Sequence, residues 1–119
     1  MVLASSACVR QDARLQQHRD KLESLGATTA AIAEAWLRGS VSGTYTCTAL
    51  EQTYRLVEQE RASLASSPGA LIDTRGAQLS QAAEALSRLL AAMLQDVRGA
   101  DAGSARRHLA AIPIVPARQ

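Results

Sequence analysis

The sequence predicts an all-α fold, an antiparallel up-down bundle of three long helices with a short fourth C-terminal helix. Three observations carry the prediction. The first is spacing: Leu15, His18, Leu22, Leu25, Thr29, Ile32 and Trp36 alternate at intervals of three and four, which keeps one helical face in register for about three heptads. Two later stretches repeat it, namely Leu50, Tyr54, Val57, Arg61, Leu64 and then Ile72, Arg75, Leu79, Ala82, Leu86, Leu89, Met93. The second is composition. Alanine fills 24 positions and the only aromatics are Trp36, Tyr45 and Tyr54, which suits close helix packing and not a β-sandwich built from aromatic and β-branched side chains. The third is punctuation, with glycine, serine and proline gathered at Gly39 to Gly43 and at Ser66 to Gly69.

Taken in order, helix 1 is expected over residues 9–38. Gly26 interrupts its composition but not its phase, so the spacing favours one long helix, bent at most at Gly26. The run Gly39-Ser40-Val41-Ser42-Gly43 ends it. Residues 44–48 alternate like a strand, yet five residues without a partner make no sheet, and they read as the first turns of helix 2. Thr48 and Glu51 have capping-box spacing, which allows a later start. Helix 2 should reach Ala65. Ser67 then reads as the N-cap and Pro68 as the first residue of helix 3, over residues 68–98. Asp101 can cap a short helix 4 over 102–111, and Pro113 and Pro116 stop the chain. The domain organisation is residues 1–8, a helical bundle over 9–112, and a tail over 113–119.

Two tight turns make the pairing checkable. Folding helices 1 and 2 about residue 41 sets Leu25 by Val57, Ile32 by Leu50, Trp36 by Cys47 and His18 by Leu64. Folding helices 2 and 3 about residue 68 sets Leu64 by Ile72, Val57 by Leu79 and Leu50 by Leu86. The three ladders thus share layers, as a foldable bundle requires. At ~1.5 Å per residue the bundle should be about 40 Å long. Cys8 and Cys47 then lie at opposite levels, far beyond the ~6 Å a disulfide tolerates between Cα atoms.

Residues 3–8, Leu-Ala-Ser-Ser-Ala-Cys, resemble the end of a bacterial lipoprotein signal, which closes on small residues before a lipidated cysteine. Ser5 stands where Leu or Val is usual, and no basic or long apolar stretch precedes it. The resemblance implies a lipid on Cys8 and a periplasm-facing protein if translation starts further upstream; the other reading is a frayed N-terminal turn in a cytoplasmic protein. No run of eighteen apolar residues occurs, so the membrane enters only through such a lipid.

The net charge of +2 comes from thirteen basic and eleven acidic residues. Lys21 is the single lysine, and mixed-sign helix faces give no phosphate-tracking surface, so nucleic acid is not an expected partner. No glycine-rich phosphate loop, zinc-type Cys/His spacing, GxSxG or CxxCH is present, and no cofactor or metal is expected. Three side-chain groups remain. His18, Arg61 and Arg75 fall on rungs at one end of the bundle and could hold an anion. Trp36 and Met93 could line an apolar pocket at the other end. Cys47 and His108 are the one conceivable thiol–imidazole pair. The leading expectation is a non-enzymatic binding or scaffolding protein that contacts a protein partner, including a second copy of itself. The alternatives are a small-ligand sensor or carrier with a pocket at one bundle end and, further off, a thiol enzyme through Cys47.

Overall fold

The computed structural model describes residues 2–67 and 73–113, with the side chains of residues 2–9 and 11 left outside that description. Four α-helices follow one another: α1 (Val2–Leu37), α2 (Gly43–Ser66), α3 (Thr74–Arg98) and α4 (Ala102–Ala110). The first three pack against one another as an antiparallel bundle, and α4 lies on α3 and α1. The molecule measures 58 × 24 × 19 Å, longer than expected because α1 begins at Val2. Its 36 residues at ~1.5 Å each extend about 54 Å. Gly26 does not break it.

The helix ends follow from local chemistry. After α1, the Gly39 N–H bonds the Trp36 carbonyl and the Ser40 N–H bonds the Ala35 carbonyl, both at 2.9 Å, with Gly39 at φ 76°. That is a Schellman close, and its left-handed residue is the glycine the sequence supplies. Ser42 caps α2, its Oγ accepting from the Tyr45 N–H at 3.1 Å, so residues 44–48 are helical and the later start at Thr48 is not used. The start of α3 corrects the sequence reading. Ser67 closes α2 instead of opening the next helix, and Asp73 caps α3 by accepting from the Arg75 N–H at 2.8 Å. Residues 68–72, with Pro68, Gly69 and the rung expected at Ile72, lie outside the described residues. Asp101 caps α4 through the Ser104 N–H at 3.0 Å, as its position suggested.

The buried faces keep the three-four period but shift one rung in two. On α2 the buried residues are Thr46, Leu50, Thr53, Val57, Glu60 and Leu64, so Thr53 and Glu60 replace Tyr54 and Arg61. On α3, Gly76, Ala83 and Leu90 are buried where Arg75, Ala82 and Leu89 were expected. Thr29, Thr46 and Thr53 enter the core because each hydroxyl donates to the carbonyl four residues earlier at 2.7–2.8 Å, leaving the methyl to pack.

The core has two parts. The larger gathers Ala33, Leu50, Val57, Leu86, Leu90 and Met93 with neighbours including Leu25, Ile32, Trp36 and Cys47. Three of the four pairings expected between α1 and α2, Leu25 with Val57, Ile32 with Leu50 and Trp36 with Cys47, therefore share one cluster, whereas Leu64 belongs to the other and His18 bonds Glu60. The smaller holds Leu15, Leu22, Leu64, Leu79 and Ala83. Leu79 sits with Leu64 there and not with Val57, and a Cβ on Gly43 would lie 3.8 Å from Val97 Cγ1, one turn beyond the expected register. The later start of α3 explains that displacement.

Candidate functional site

A carboxylate sits inside the bundle where hydrophobic packing would ordinarily be. Glu60 follows Val57 by three residues and precedes Leu64 by four, so the α2 ladder carries it inward. Its side chain is only 5% exposed. A buried carboxylate is stable when paired and hydrogen-bonded. His18, on the matching rung of α1, supplies the pairing: its Nδ1–H donates to Glu60 Oε1. The other ring nitrogen, Nε2, lies 3.3 Å from Ser67 Oγ at the end of α2.

This string of carboxylate, imidazole and hydroxyl has the residue types of a nucleophilic triad. Its hydrogen bonds describe a clamp. Ser67 Oγ–H donates to the Ser63 carbonyl at 2.9 Å, so the hydroxyl hydrogen is turned away from Nε2. A hydroxyl whose hydrogen is committed to a backbone carbonyl is not set to give it to the ring. The string ties α1 to the close of α2.

Beside Glu60, residues of the two helices line two hollows. One hollow of about 540 Å³ is lined by Gln17, His18, Asp20, Lys21, Ser24, Glu60 and Ser63. A second, of about 320 Å³, shares Lys21, Ser24, Glu60 and Ser63 and continues over Leu25, Leu56 and Gln59. Together they make one groove, polar at the His18 end and apolar at the Leu25/Leu56 end. Leu56 is 50% exposed, one of the two large apolar side chains of which that is true among the described residues. Lys21 Nζ stands 3.7 Å from Glu60 Oε2, beyond hydrogen-bond reach, and is 74% exposed.

The residues singled out in the sequence are distributed as follows. His18 is in the clamp. Arg61 donates to Glu58 Oε2 at 2.7 Å, which holds its guanidinium above the ordinary value, and Arg75 donates to Asp73 and Asp12 at 2.7–3.2 Å, which does the same. Each arginine is thus neutralised by its own carboxylates. Trp36 and Met93 do share one environment, the larger core cluster, where Met93 is 1% exposed. Cys47 is a free thiol packed on that cluster. His108, its conceivable partner, instead bonds Asp96 Oδ2 through Nδ1 at 2.6 Å. The side chain of Cys8 lies outside the described residues. Sequence reasoning missed Glu60 and Asp96; the available signal was a three-four spacing through Val57, Glu60 and Leu64, passed over because a charged residue reads as solvated.

Among the described residues no group of three or more His, Cys, Asp or Glu is placed to hold a metal ion, and no helix is long and apolar enough to cross a membrane. Compared with protein-family models, curated proteins and solved structures, the chain matches none.

Proposed function

We propose that this chain is a non-enzymatic helical-bundle binding protein whose working surface is the α1–α2 groove. The observation that carries the reading is the groove's composition: a nearly buried carboxylate at its floor, half-polar walls, and Leu25 and Leu56 at one end. Binding sites commonly combine an apolar surface with a few fixed polar groups in this way. The groove lies toward the end of the bundle that holds His18, which links the reading to the alternative of a ligand pocket there. Catalysis is less well supported, since the Ser67 hydroxyl is donated to Ser63 and His108 to Asp96. As a lipoprotein anchored through Cys8, the bundle would face the periplasm; mass spectrometry of the membrane fraction for a diacylated Cys8 tests that part separately.

The groove itself is tested by amide-shift mapping with a library of small polar and amphiphilic fragments. Expected are perturbations clustered at Lys21, Ser24, Gln59 and Ser63, abolished when Ser63→Trp fills the trough. Ser63 is exposed, so the variant should fold. Perturbations centred instead on the surface around Tyr45 or on α4, or none at all, would refute the assignment.

A further inference from the structure

We infer that the groove takes an amphiphilic ammonium, a small primary or secondary alkyl amine whose charged head meets Glu60 and whose apolar body lies along Leu25 and Leu56. The inference rests on the groove reading above and adds the chemistry of the ligand. Glu60 Oε1 is occupied by His18, but Oε2 has only the 3.7 Å approach of Lys21 among the described residues. An ionised carboxylate is acceptor-only and can take several donors, and Glu60 lines both hollows, so this oxygen can accept a donor from a ligand there. Lys21 is a poor permanent partner. Its head is strongly hydrated and its side chain mostly in water, so it can swing away at little cost.

Charge decides the sign of the ligand. An anion would have to be held by the solvent-exposed Lys21 while approaching the buried Glu60. A cation replaces Lys21 at the oxygen and returns it to solvent. The body of the ligand follows from the groove's direction. Leu56 is one turn before Glu60 on α2, about 6 Å along the axis, which suits a tail of about four to six carbons. Each methylene fully buried there should tighten binding about fourfold at most.

The test is an amide-shift titration of the full chain with four probes: hexylammonium, hexanol, hexanoate and Nα-acetyl-lysine N-methylamide. Hexylammonium should shift Lys21, Ser24, Gln59 and Ser63 saturably and bind at least tenfold more tightly than the other three. Glu60→Gln should lose that tenfold preference. Lys21→Ala, at an exposed position that does not endanger the fold, should tighten hexylammonium two- to threefold by removing the competing cation. Hexanol binding as tightly as the ammonium, or hexanoate more tightly, overturns the ammonium assignment while leaving the groove a ligand site. The lysine probe binding as well as hexylammonium overturns the free amine as the source. Retention of the tenfold preference in Glu60→Gln overturns the role given to Glu60, weakening in Lys21→Ala overturns the displacement of Lys21 by the ligand, and no probe moving a groove amide removes the inference and the groove reading together.

Discussion

The two ends of the bundle contain the same chemical device in different settings. At the end where α4 folds back, His108 on α4 meets the buried Asp96 on α3. Toward the other end, His18 on α1 meets the buried Glu60 on α2. Both are imidazole–carboxylate pairs that tie two helices together. The difference is the cover. Leu109 and Ile112 extend the larger core over the first end, whereas the described residues place no fourth helix over the second, and a groove opens there. The comparison teaches that a charge inside a helical ladder does not by itself make a site; what sets the proposed one apart is the open groove beside it.

The sharpest way to break the comparison is to empty each core in turn. Leu50→Ala, in the larger cluster and fully buried, should cost about 3–4 kcal/mol, and Leu15→Ala, in the five-residue cluster, about 2 kcal/mol. Urea unfolding checks the order, and an equal or larger loss at Leu15 would show that the open end is as well packed as the covered one. Next come the histidines. His18→Ala leaves the Glu60 carboxylate buried beside only a distant Lys21 and should cost about 2–3 kcal/mol. His108 is a third exposed, so its removal lets water reach Asp96 and should cost only about 1 kcal/mol. The same denaturation series reads both.

Two backbone substitutions should stabilise. Gly26→Ala adds helix propensity at a place where the new methyl meets Ile112 Cγ2 at an ordinary 3.7 Å, for a gain of about 0.5–1 kcal/mol. At the end of α3, Ala100 occupies the left-handed position of a Schellman close, with φ 52° and the Asp101 N–H bonded to the Asp96 carbonyl at 2.8 Å. Ala100→Gly relieves that strain and should gain about 0.5–1 kcal/mol. A drop in melting temperature for either variant contradicts the geometry.

The smallest expected effect concerns acid. Arg75, by its side-chain and then its backbone hydrogen bond, holds the Asp73 carboxyl below the usual carboxylate value. A carboxyl lowered in the folded state contributes stability that is complete above its unfolded pKa, about 4, and is lost as pH falls through the folded value. Asp73→Asn keeps a capping oxygen but no titration. Its stability should therefore fall less steeply than the parent's below about pH 4, with no difference in slope near neutrality. A parallel acid limb in the two proteins would remove Asp73 from the account.

Much of the architecture was legible in the residues. Leu15, Leu22, Leu25 and Ile32 set the phase of α1, and Gly39 and Asp101 marked a helix close and a helix start where they are found. The site was only half legible. His18 stood out as the polar member of an apolar ladder, but its partner did not, because periods of three and four allow either Arg61 or Glu60 between Val57 and Leu64. Polarity alone cannot separate them; a partner on another helix decides, and it lies 42 residues away. The start of α3 failed for a related reason. Ser67-Pro68 is the stronger local signal, whereas Ser67 is held at the end of α2 by Ser63 and by His18.

The continuity of α1 has a thermodynamic consequence. A single uninterrupted coil supplies wall residues to both clusters, Leu15 and Leu22 to one and Ala33 to the other. Neither half can melt without withdrawing a third of the scaffold from its neighbour. Heat and denaturant should accordingly take the whole molecule apart in one cooperative step, with no long-lived half-folded species.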